Sequence, residues 1–301
     1  MLLAPIILFV YNRPWHTQQT IESLQKNELA NESELFIYSD ASKAEQDQEK
    51  VQEVRDYIQS VDGFKKITII EREENWGLAK SIIDGVTETV NQYGKIIVLE
   101  DDIVTSAYFV RYMNDALDYY QDIEAVMHVS GWNYPINTDG LPETIFLRGT
   151  SCWGWATWSR AWQFFDKDPQ KLSETFTKED RYKLDYDGTA GMWSQVTGNL
   201  SGKLNTWAIF WYASVFKMGG LCLHPTNSLV ENIGHDGSGE HCGASDMYCN
   251  TLSDRPVTQF SDDITENTIA MDRIKRFLIG NMKSLFERVI NKLFRICGYS
   301  R

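Results

Sequence analysis

The stretch GKIIVLEDDIV, residues 94–104, decides the fold. Ile96 to Leu99 are four consecutive apolar residues and read as a strand buried on both faces. That strand runs straight into Glu100, Asp101 and Asp102. Adjacent carboxylates repel one another and are costly to desolvate unless a cation or hydrogen-bond donors offset their charge. An acidic triplet is ordinary at a solvated helix N-terminus, where it favours the helix dipole. At the mouth of a core strand it also suits a bound cation.

The residues before it alternate between two periods. PIILFVY (5–11), ELFIYSD (34–40) and KKITIIE (65–71) read as strands. Between them, Pro14 opens a helix running through Ile21 and Leu24, Val51 to Val61 recur at helical spacing, and Leu78 to Val90 mark a third amphipathic helix. Strand and helix in turn with short links imply an α/β chain with a mostly parallel, helix-covered sheet. In such sheets ligands bind beyond the carboxyl ends of the strands. The residues there are Asn12 and Arg13, Asp40, Glu71 to Asn75, and Glu100 to Asp102, so polar groups converge from four strands. No GxGxxG follows the first strand and no GxxxxGK[ST] occurs, so the usual dinucleotide and P-loop cradles are absent. A nucleotide bound here would need its diphosphate charge met otherwise, and a divalent cation on Asp102 would meet it.

After Asp102 the pattern loosens. Residues 106–121 read as helix and 124–130 as strand, followed by aromatic- and glycine-rich segments. The chain has 301 residues, enough for a full core, and carries 10 Trp, 14 Tyr and 14 Phe. Aromatic residues at this level serve core packing or platforms for flat ligands. A net charge of −13 disfavours nucleic-acid binding, which relies on basic surface. Five cysteines without a CxxC pair suit a reducing compartment better than a disulfide framework. The apolar start lacks a basic n-region and cleavage site and reads as a first strand; no apolar run of bilayer length occurs.

These features resemble the GT-A fold (Rossmann-like) of nucleotide-sugar glycosyltransferases. The resemblance is to the N-acetylglucosaminyltransferase I-like family, which carries EDD on a strand similar to IIVLEDDIV, and to bacterial transferases that assemble surface polysaccharides. YNRP, the aspartate Asp40 and ENWGLAKSII correspond to that family's motifs over residues 4–120; SCWGWATWSRAW and SLVENIGHDGSGEH are compared with the bacterial enzymes. The resemblance implies a UDP-sugar donor bound by Arg13, Asp40, Asn75, Lys80, Glu100 and Asp101, with Asp102 holding Mn²⁺ or Mg²⁺. The implied acceptor is a glycan or lipid-linked glycan, and the implied outcome inversion. One departure stands out: where the family places a base after a Trp, Trp207 is followed by Ala208. A non-catalytic sugar-binding module and a sugar nucleotidyltransferase are the alternatives; YNRPWHTQQ lacks the glycine-rich loop of the latter.

Trp155, Trp158 and Trp162 fall at helical spacing, which fits a core stripe. Trp153, Trp155 and Trp207 are candidates for the wall of a sugar subsite, since an aromatic ring stacks on the apolar face of a pyranose. ENIGHDGSGEH (231–241) reads as a polar loop able to close over a ligand, or as ordinary surface. His235 and His241 are its candidate metal ligands and Asp236 its candidate base. A zinc site of His241 with Cys242 and Cys249 matches no common spacing.

From Met271 to Arg301, eight Lys or Arg face only Asp272 and Glu287, giving about +6 on a chain otherwise at about −19. From Ile274 on, apolar residues recur at three- and four-residue steps beside basic ones. The expected organisation is one GT-A domain over 1–265, with a nucleotide half (1–105) and a sugar and acceptor half (106–265), then a basic amphipathic helix over 266–301. That helix either docks on protein or lies on an anionic inner leaflet, the latter implying a cytoplasmic, peripheral membrane location.

Overall fold

The computed structural model describes residues 2–238 and 247–281. The chain opens with the expected alternation: β1 (Ile6–Val10), α1 (Pro14–Gln25), β2 (Glu34–Ser39), α2 (Gln48–Gln59), β3 (Lys66–Glu71), α3 (Gly77–Tyr93) and β4 (Lys95–Glu100). β3, β2, β1 and β4 lie side by side and all parallel. Parallel strands need crossover helices, which cover both faces and make the strand sequences continuously apolar. Ile6, Leu8 and Val10 pack with Ile21 and Leu24 of α1 and Val54 and Ile58 of α2. Ile7 and Phe9 point the other way and pack with Ile82, Val86 and Val90 of α3.

The remainder supplies β5 (Ile103–Thr105), α4 (Phe109–Tyr119), β6 (Val126–Ser130), β7 (Thr144–Leu147), β8 (Trp155–Trp158) and α5 (Ser159–Trp162). Three short helices follow, α6 (Pro169–Thr175), α7 (Lys178–Leu184) and α8 (Trp193–Leu200), then α9 (Ala208–Lys217), β9 (Leu221–Pro225) and β10 (Val230–Asn232). A last helix, α10, occupies described residues 268–281. The central sheet has eight strands in the order β3-β2-β1-β4-β8-β6-β9-β7. β8 runs antiparallel between β4 and β6, β9 parallel to β6, and β7 antiparallel to β9. β5 leaves this sheet and pairs with β10, placing Thr105, Val104 and Ile103 opposite Val230, Glu231 and Asn232. The result is the GT-A-like layering expected from the sequence, with a mixed rather than parallel second half.

Two expectations change. The spacing of Trp155, Trp158 and Trp162 reads as helix, yet Trp155–Trp158 is a strand in mid-sheet and only Ser159–Trp162 is helical. Both faces of β8 are buried, so a strand there shows no alternation, and its first and last Trp coincide with a helical step. The segment from 266 is no simple appendage either. Ala270, Met271, Ile274 and Leu278 of α10 are buried in the main core. Glu266 accepts hydrogen bonds from the backbone and side chain of Arg148. For residues up to 281 the docked-helix alternative therefore holds. The tail beyond, like His241 and Cys242, lies outside the described residues.

Candidate functional site

A cleft of about 1010 Å³, counted to its open mouth, lies at the carboxyl ends of β1, β2, β3 and β4. Its lining includes Tyr11, Asn12 and Arg13 after β1, Asp40 after β2, Arg72 and Asn75 after β3, and Glu100, Asp101 and Asp102 after β4. Parallel strands end on one edge, so four separate turns meet there.

Asp102 and Asp101 are buried, and one guanidinium serves both. Arg13 Nη2 donates to Asp101 Oδ1 and, at 2.9 Å, to Asp102 Oδ2. Burial opposes the charge on Arg13, but Asp101 and Asp102 outweigh it and hold its pKa above the usual value. Burial raises the Asp101 pKa, with Arg13 opposing and Asp102 adding. Glu100 makes no such pair. Burial first, then repulsion from Asp102 and Asp101, pushes its carboxyl up to about 8, so it carries a proton at neutral pH.

The β5–β10 pairing then folds the chain back over this turn. Ile233 N–H donates to the Asp102 carbonyl at 2.9 Å. Gly234 lies against the carboxylate so closely that a Cβ would stand 2.1 Å from Asp102 Oδ2 and 2.9 Å from Arg13 Nη1. Only glycine fits this approach. Two residues on, Asp236 Oδ2 lies 3.1 Å from Nε2 of His16, a buried residue in the first turns of α1. Hydrogen bonds from Ser238, with His16 adding, hold the Asp236 pKa down to about 2. Ser238 itself lines the cleft. The loop residues up to Ser238 and the acidic strand, far apart in sequence, thus form one site.

The family model described as glycosyl transferase family 2 matches residues 6–178, more than half of the chain. The chain belongs to glycosyl transferase family 2. This assignment is broader than the N-acetylglucosaminyltransferase I-like family that the sequence resembles. No curated protein matches the chain. Similar solved structures include S. aureus TarS 1–349, at 12% identity and TM-score 0.41, with 75% of this chain and 59% of that one covered. Others are the mannosyltransferase PcManGT from Pyrobaculum calidifontis in complex with GDP-Man and Mn²⁺ (10%, TM-score 0.36, 72% and 69% covered) and mouse xyloside xylosyltransferase 1 (11%, 0.38, 74% and 97%). The chain spans less than two-thirds of the TarS fragment.

In this family 2 glycosyltransferase the remaining expected site residues divide. Asp40 lines the cleft, but its carboxylate is held by the start of α3: Oδ1 accepts from Trp76 N at 2.9 Å and Ala41 N at 3.0 Å, Oδ2 from Gly77 N at 2.8 Å. Asn75 lines the cleft and donates to the Ala41 carbonyl at 2.7 Å. Lys80 is not among the lining residues; its ammonium sits 3.7 Å from the centre of the Trp76 ring, outside the cleft. Trp155 and Trp207 are core residues, 0% and 4% exposed and stacked on each other at 5.5 Å, so neither has a face to offer a sugar. Trp153 is half-buried and meets His235 edge-on at 5.2 Å. Gly154, at φ 59°, turns the chain between the outer and inner tryptophans.

Three contributors were given no role from the sequence, although Arg72 lies in the polar run 71–75 read at the end of the third strand. Arg72 lines the cleft with its guanidinium 3.7 Å from the Trp76 ring centre and an ion pair to Asp84 at 2.7 Å. His16 and Gly234 are the others; Gly234 gave a signal as the first glycine of a polar loop, His16 none.

A divalent cation is implied by the resemblance. Among the described residues no three His, Cys, Asp or Glu side chains converge for a metal, so they form no closed protein cage. A hard cation that keeps water and phosphate oxygens needs only one or two carboxylates. Asp102 fits that role; His235, next in the chain to Gly234 but outside the cleft lining, has its Nε2 buried without a hydrogen-bond partner.

Proposed function

We propose that this glycosyltransferase moves a sugar from a UDP-sugar to a hydroxyl of a glycan or lipid-linked glycan in bacterial surface-polysaccharide assembly. The observation that carries the reading is the convergence of Asp40, Asn75, Arg72 and Glu100 to Asp102 on one cleft at the strand ends of a family 2 chain. Residues 1–105 would supply the nucleotide half, and 106–265 the sugar and acceptor half. Mn²⁺ or Mg²⁺ on Asp102 would supply stabilisation of the departing diphosphate. Glu100, whose carboxyl pKa is raised by burial and the neighbouring aspartates in the metal-free site, would meet donor hydroxyls. Arg72 and Asn75, which line the cleft, would meet the nucleotide, and Trp153, outside that lining beside His235, would offer the aromatic wall.

Asp236 is the candidate base by position, beside the roof of the carboxylate turn. A pKa of about 2 makes it a weak base, and Ala208, first residue of α9, supplies no carboxylate. The same observation favours a second reading, a module that binds donor without transferring it. The basic residues Lys283, Arg288, Lys292 and Arg295 would hold the body near anionic lipid. Among the described residues no helix is long and apolar enough to cross a membrane.

The test is UDP release from UDP-GlcNAc, UDP-Glc, UDP-Gal and UDP-GalNAc with Mn²⁺, each with and without glycan acceptors. Metal-dependent release that Asp102→Ala abolishes supports the enzyme. Metal-dependent donor binding without release supports the binding module, and binding indifferent to Asp102→Ala refutes both.

A further inference from the structure

Arg13 is where the sequence predicts a contact to the donor nucleoside, yet its guanidinium is taken up by the acidic turn. It reaches Asp101 and Asp102 together, its side chain is 17% exposed, and Gly234 roofs the pair. Two buried carboxylates in contact with one cation are balanced only in part, and removing that cation would leave both uncompensated. Asp102 Oδ2, which Arg13 holds at 2.9 Å, belongs to the carboxylate read above as the metal's ligand.

We propose that Arg13 is the site's internal counter-ion: it occupies Asp102 in the metal-free protein and must leave that carboxylate for a divalent cation to bind. A divalent cation and the guanidinium held together on the small Asp102 carboxylate would repel one another strongly. Asp101 keeps the guanidinium in place when Asp102 is given up. Metal affinity is therefore set by a competition inside the chain, and the acidic turn stays ordered without metal. The inference rests on the reading of Asp102 as metal ligand.

The experiment measures Mn²⁺ binding to the full chain by the EPR signal of free Mn²⁺, for wild type, Arg13→Gln and Asp102→Ala, without nucleotide. Arg13→Gln keeps a hydrogen-bonding side chain without the charge and should bind Mn²⁺ about tenfold more tightly. Unchanged or weaker binding by Arg13→Gln, with wild-type binding abolished in Asp102→Ala, overturns the inference and leaves the metal reading standing. Binding indifferent to Asp102→Ala defeats the metal reading itself, and the inference with it. Should Arg13→Gln fail to fold, NMR of the Arg13 guanidinium in wild type decides: its Nη resonances should change saturably with Mg²⁺. A spectrum unaltered at saturating Mg²⁺ refutes the competition.

Discussion

Gly234→Ala tests the roof over the carboxylates. The backbone there has no positive φ, so alanine brings no conformational penalty and the perturbation is steric alone. Its Cβ would lie 2.1 Å from Asp102 Oδ2, where comfortable contact is roughly 3.5 Å, so more than about 1 Å of movement is required. Asp102 can turn aside only by leaving Arg13; otherwise the loop must lift, and Ile233 loses its bond to the Asp102 carbonyl. Overpacking of a tight site costs about 1–3 kcal/mol and a lost hydrogen bond about 0.5–1.5, so a loss of about 2–4 kcal/mol is expected. In a chain of this size that is a fall in Tm of the order of 3–6 °C. Either route misplaces Asp102, so Mn²⁺-dependent UDP binding should weaken at least about tenfold. The assays are urea denaturation and calorimetric titration of UDP with Mn²⁺. The control is Gly280→Ala in α10, whose Cβ meets nothing within 4 Å and which should gain up to about 1 kcal/mol of helix propensity. A Gly234→Ala protein with wild-type Tm and wild-type UDP binding would refute the close approach and the placement of the loop.

Three further outcomes are expected. Ending the chain after Asn281 should leave the fold intact, whereas ending it after Glu266 uncovers the core against Ala270, Met271, Ile274 and Leu278 and should cost several kcal/mol, roughly 2–5 per large side chain, read by denaturation and light scattering. In metal-free protein Glu100 titrates near 8 instead of 4.5, so the folded state holds a proton that the unfolded chain has lost; stability from this group falls as pH rises from 4.5 to about 8. Glu100→Gln should remove that slope and be the more stable protein above pH 8 by urea denaturation, and an unchanged slope counts against a buried, proton-bearing Glu100. Asp40→Ala strands three backbone N–H groups, two at the start of α3 and that of Ala41, and should destabilise the ligand-free protein by about 1–3 kcal/mol, with Asp40→Asn losing less; equal stability of all three would show that the aspartate serves ligand alone.

The first hundred residues were legible because each parallel strand is built on a run of apolar residues, continuous in β1 and through the middle of β4, and each crossover helix shows its own period. The convergence of Arg13, Asp40, Asn75 and the acidic triplet followed from one rule, that ligands meet strand ends. The second half resists for a physical reason. β5 and β10 have three residues each, and β7 and β8 four, and their partners lie far along the chain, so local pattern carries little of the information. Lys80 shows a limit of another kind: its position on α3 was readable, but whether its stem turns to the cleft or to Trp76 depends on packing. Arg13 was readable as a site residue, whereas its hold on Asp101 and Asp102 depends on a turn geometry no motif encodes.

The β5–β10 ribbon has a consequence for biosynthesis. It joins residues 103–105 to 230–232, a contact of high sequence separation whose loop-closure entropy must be met before it forms. While the chain leaves the ribosome, β1 to β4 can pack as soon as they emerge, but the acidic turn acquires Ile233 and Gly234 only after about 130 further residues have followed. The nascent β1–β4 unit therefore carries Asp101 and Asp102 uncovered until β10 arrives to pair with β5.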